Sequence, residues 1–115
     1  MFIKMSSKFH DVIKLLSASL RKHFKDYKGI YFLNEYDIDN ISEDNEIKIV
    51  ALFDTSDKQK RESIWPIVGQ IETELGVSID LYPYTQEEFK NDEFLYSEML
   101  NLGQFCDASG ITKKS

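Results

Sequence analysis

Two short charged stretches carry the residue types from which a reactive site can be built. Period-two geometry in Glu46-Ile47-Lys48-Ile49-Val50 puts Glu46, Lys48 and Val50 on one face of a strand. In Ser78-Ile79-Asp80-Leu81-Tyr82 it puts Ser78, Asp80 and Tyr82 on one face of another. If the two strands are neighbours, two carboxylates and an ammonium converge. Carboxylate oxygens are hard ligands for a divalent cation, whereas an ammonium competes with that cation for the same oxygens. The plainer reading of these residues is a solvated strand end.

Other chemistry-bearing residues form no comparable group. Asp37-Ile38-Asp39-Asn40-Ile41 begins like a calcium loop, but Ile41 stands where a third ligand belongs, Ser42 where glycine is needed and Lys48 where a bidentate carboxylate is needed. His10 and His23 lie too far apart on one helix to share a metal, and read as surface or edge residues. Cys106 is the only cysteine, which excludes an internal disulfide and a thiolate-rich zinc site and reads as structural. Trp65 and the many Phe and Tyr residues read as core and interface rather than a base-stacking platform.

The elements that must position the charged stretches follow from hydrophobic spacing. Phe9, Val12, Ile13, Leu16, Leu20 and Phe24 make one helical stripe. Gly29 breaks it, and Ile30-Tyr31-Phe32-Leu33 reads as a short buried strand. The polar stretch from Asn34 to Asn45 reads as a loop, and Glu46 to Phe53 as a second strand with one end near solvent and the other deep. Ile64, Ile67, Val68, Ile71 and Leu75 give a second helix stopped by Gly76, and Pro66 predicts that it begins near Trp65 or bends there. Val77 to Tyr82 alternates as a third strand ended by Pro83. Thr85-Gln86-Glu87-Glu88 matches a capping box, and a last helix runs from Asp92 to Leu102, stopped by Gly103.

A chain of 115 residues with 42% hydrophobic content supports one core. The expectation is therefore a single domain over residues 1–106 with a frayed tail over 107–115. No apolar run approaches the roughly 18 residues that cross a bilayer, and the N-terminal residues lack the apolar stretch and cleavage site of a secretory signal. A cytoplasmic location without membrane association is expected. The net charge of −6 argues against nucleic acid as a partner. The basic cluster of Arg21, Lys22, His23, Lys25 and Lys28 ends a predicted helix, where cations favour the negative end of the dipole.

The order helix, strand, polar loop, charged strand, helix, strand with a central Asp resembles the minimal nucleotidyltransferase family. Its members end a strand in a Gly-Ser pair, open the next with Asp-x-Asp and complete a divalent-metal site with a later carboxylate. Asn34-Glu35 stands at the Gly-Ser positions, Glu46-Ile47-Lys48 at Asp-x-Asp and Asp80 at the third carboxylate. Ten residues, Tyr36 to Asn45, separate the two pairs, and the resemblance extends over residues 8–106. It implies an α/β, three-layer fold: a small mixed sheet flanked by helices in the order α-β-β-α-β-α-α.

At the implied site the departures fall on the working residues. A Gly-Ser turn lets backbone approach a triphosphate, whereas Asn34 adds a side chain and Glu35 a negative charge. Lys48 replaces a metal ligand, and an ammonium about 4 Å from another charge interacts by roughly 4 kcal/mol at an effective dielectric near 20, repelling a cation. Glu46 and Asp80 remain as weak metal ligands at most. The resemblance thus implies an inactive module that binds protein, an antitoxin-like role beside a HEPN-type helical partner or as a homodimer, with no cofactor. The alternative is an active enzyme using Glu46, Asp80 and one Mg²⁺ to move a nucleotide from ATP to a protein or small-molecule acceptor.

Overall fold

The computed structural model describes residues 2–33, 47–109 and 112–114, with backbone alone for 2–10 and 112–114. Helix α1 (Phe2–His23) precedes strand β1 (Tyr27–Leu33), and β2 (Ile47–Phe53) leads through helix α2 (Lys58–Leu75) to β3 (Ile79–Thr85). Helices α3 (Gln86–Asn91) and α4 (Glu93–Leu102) follow, then β4 (Gly103–Asp107) and β5 (Thr112–Lys114). The five strands form one sheet ordered β3-β2-β1-β4-β5. Only β2 and β3 run parallel, joined across α2; β1 is antiparallel to both its neighbours.

Alternation along the strands divides the core into two layers. Ile49, Ala51 and Phe53 face α1 and α2, where they meet Val12, Leu16, Leu20, Ile64, Val68 and Ile71. Val50 and Leu52 face α3 and α4, where they meet Phe89, Leu95 and Met99. Each of these larger side chains contributes about 1.5–3 kcal/mol by leaving water. The result is the three-layer arrangement of helices on both faces of a small mixed sheet.

Gly29 corrects the facing of β1. It adopts φ +141°, and the ladder to β2 slips between Tyr27 and Gly29. That bulge turns Tyr27 to the α1 side along with Ile30, where strict alternation would put it with Tyr31. There the Tyr27 hydroxyl lies 2.7 Å from the Ser17 hydroxyl, with buried Cys106 beside them. Burial pushes the Tyr27 phenol well above its ordinary value. Cys106 is thus a packed core thiol.

Several boundaries differ from the sequence reading. Helix α2 starts at Lys58, capped by the Asp57 carboxylate, and Pro66 lies inside it. Glu62, whose carbonyl loses its partner, is exposed beside exposed Pro66, so water can satisfy it. Pro83 lies within β3, which is the sheet edge, and its carbonyl accepts from the Ser56 hydroxyl at 2.8 Å on the side away from β2. A missing donor on that side breaks no ladder bond. Strands β4 and β5 have no counterpart in the sequence reading, and β5 falls within the stretch read as a tail. Trp65, read with the core and interface aromatics, stands 48% exposed on α2.

Candidate functional site

Strand β2 begins half-buried at Ile47 and Lys48 and becomes fully buried from Ile49 onward. Lys48 therefore sits where the strand emerges from the core, its side chain 30% exposed. The parallel ladder sets Lys48 directly beside Asp80 and Val50 beside Tyr82. Register partners in adjacent strands project to the same side, here the α3–α4 layer. Glu46, Asn34 and Glu35 lie outside the described residues. Of the residues singled out from sequence, Lys48 and Asp80 are thus brought together.

A third charge joins them from α4. The Lys48 ammonium donates to Glu98 Oε1 at 3.3 Å, across partly buried surroundings. Exposed pairs of this kind contribute up to about 1 kcal/mol, and partial burial raises the cost of removing one member. Asp80 accepts from the Tyr82 hydroxyl at 3.0 Å. The ammonium is thus held by a carboxylate on α4, next in register to Asp80 on β3, and a protonated lysine has no lone pair to give a cation. Among the described residues no group of three His, Cys, Asp or Glu side chains converges as a metal site.

Glu98 is the site residue that sequence reasoning misses. It follows Leu95 by three positions and precedes Met99, so helical spacing puts it at the border of the buried stripe. Nothing in that spacing tells which strand lies beneath. The turn from β3 to α4 is fixed by local chemistry: Thr85 and Glu88 form the capping box, and Asp92 caps α4 while accepting from the Tyr84 hydroxyl at 2.8 Å. Burial, then the bond to Asp92, pushes the Tyr84 phenol up to about 12.

The other charge clusters serve the frame. Lys60 pairs with Asp26, donates to the Thr55 carbonyl at 2.9 Å and lies 4.7 Å from the centre of the Phe53 ring. Asp26 also accepts from the Asp54 and Thr55 amides at 3.2 Å, which ties the start of β1 to the loop before α2. Arg21, Lys22 and His23 form the last turn of α1, and Lys28 pairs with Asp54 at 3.2 Å.

An antiparallel β1–β2 pair, a parallel β3 reached across a helix, and helices on both faces define a nucleotidyltransferase-like fold. The chain is similar to a solved toxin–antitoxin structure with AMP-PNP, at TM-score 0.55 and 19% identity over 89% of this chain and 73% of that one. It is also similar to a substituted form of the toxin–antitoxin MntA-HpeT, at TM-score 0.50 and 20% identity over 75% of this chain and 64% of that one. No protein-family model and no curated protein matches the chain. At these identities the likeness is one of fold.

Proposed function

We propose that the chain is a nucleotidyltransferase-like module without catalysis, acting in the cytoplasm as an antitoxin-like protein that binds a HEPN-type helical partner. The observation that carries this reading is Lys48, in register with Asp80 and with its ammonium bonded to Glu98. A cation entering there meets a fixed positive charge, so the described residues do not fit Mg²⁺. The antitoxin-like role is supported by the fold, since the solved structures it resembles are toxin–antitoxin assemblies.

Calorimetric titration of the purified chain with ATP, with and without Mg²⁺, tests the inactive site. No heat at millimolar nucleotide is expected. Binding that depends on Mg²⁺ would instead favour an enzyme that uses Glu46 and Asp80 with one metal ion. The partner is tested separately, by asking whether co-expression relieves the toxicity of a HEPN-type protein; no relief counts against the antitoxin role alone.

A further inference from the structure

Helix α4 is apolar on more sides than its packing uses. Its inner stripe, Leu95 and Met99, is buried, and Tyr96 packs edge-on against Phe89 at 4.9 Å. One flank carries Phe94, 78% exposed, and Leu102, 60% exposed, on the line that also holds Glu98, and Leu100, at 36%, lies on the opposite flank. These are three of the five large hydrophobic residues exposed among the described ones, gathered on one helix of ten residues. Phe94 and Leu102 lie two helical turns apart, so one ligand can engage both.

The charge around these anchors selects the occupant. Residues 86–102 carry five carboxylates (Glu87, Glu88, Asp92, Glu93, Glu98) against Lys90 alone. Glu98 is balanced by Lys48, but Glu87 and Glu93 are exposed, and Glu88 and Asp92 serve as caps without a cationic partner among the ion pairs of the described residues. A second copy docking through the same face sets acid against acid. A basic segment with its own apolar residues meets both features. Resting on the protein-binding reading above, we propose that the exposed Phe94–Leu102 flank of α4 docks a basic, amphipathic segment of a partner protein, with Phe94 and Leu102 as its anchors.

The test uses the full chain, ¹⁵N-labelled, and a synthetic amphipathic helix of leucines and lysines as the probe. Amide shifts confined to α4 and the adjoining end of α3 are expected. The Phe94→Ser/Leu102→Ser pair should weaken the probe about tenfold or more with an unchanged thermal midpoint. Glu93→Lys with Glu87→Lys should weaken it as well and steepen no salt dependence. Shifts on α1 or α2, unchanged affinity in the Phe94/Leu102 variant, or concentration-dependent broadening of α4 without probe would each overturn the assignment, the last because a second copy is then the occupant. If the probe maps to α4 but a HEPN-type toxin is not neutralised, the antitoxin role fails and the docking surface stands.

Discussion

Lys48 is held by an acid that its own strand does not supply, Glu98 of α4, and its register neighbour on β3 is Asp80. Replacing it with aspartate therefore sets a carboxylate facing Glu98 and next in register to Asp80. Lys48→Asp is expected to lower stability by about 1–3 kcal/mol through lost pairing and like-charge repulsion. Millimolar Mg²⁺ should restore part of that loss while leaving the wild-type thermal midpoint in place, as differential scanning fluorimetry can show. The meeting of Lys48 with Asp80 was legible, because period-two facing needs only that the strands be neighbours. Glu98 was not legible, because helical spacing identifies a buried border without saying what it borders.

Tyr84 offers a second test at this scale. Its phenol is pushed up to about 12 by burial and by the bond to Asp92. A folded value above the ordinary 10 means that its contribution is complete below pH 10 and fades as the pH rises from there toward 12. Tyr84→Phe should cost about 1 kcal/mol at neutral pH. It should also remove one late-ionising phenol from an alkaline absorbance titration; an unchanged titration would refute the assignment.

Between elements, the Asp26–Lys60 pair joins β1, the loop before α2 and α2 itself. Burial raises the Asp26 carboxyl, but the Lys60 bond and charge with the Thr55 amide outweigh it and leave the group below its ordinary 3.8. Its stabilisation is therefore present above that value and lost as the pH falls through the lowered one. Asp26→Asn should cost about 1–2 kcal/mol at pH 7 and almost nothing in acid below the lowered value, where wild type is itself protonated. Urea melts at the two pH values give the comparison. The same junction shows why helix α2 was legible in type but not in extent. The stripe from Ile64 to Leu75 marks the buried face, whereas the first turn is set by the Asp57 cap and is exposed, leaving no hydrophobic signal. Pro66 and Pro83 mislead for a related reason: a proline excludes a donor only where a donor is needed, and the sequence does not show which strand is an edge.

For the molecule as a whole, β1 is the member that every layer shares, with β2 and β4 at its edges and helices over both faces. A Cβ on Gly29 would lie 2.6 Å from the Cys106 carbonyl oxygen and 2.6 Å from the Phe105 ring, in a φ that disfavours side chains. Gly29→Ala is expected to destabilise by about 3 kcal/mol or more, since both β4 and the bulge must shift. A loss under about 1 kcal/mol in chemical denaturation would mean that β4 adapts without difficulty. The strand β4 that closes this packing was not legible, because Gly103-Gln104-Phe105-Cys106-Asp107 is short, opens on glycine and follows a helix stop without any turn signal.

The pairing of Leu33 with Gly103 has a consequence for how the protein is made. As the chain leaves the ribosome, β1, β2, α2 and β3 are complete by Thr85, and local and crossover contacts can assemble them. The far edge of β1 then stays bare until residues 103–107 emerge. During that interval a nascent chain carries an open strand edge in the middle of its future sheet, the kind of template that other nascent chains can pair with. Crowded synthesis on one messenger would bring such edges close to one another before β4 covers them.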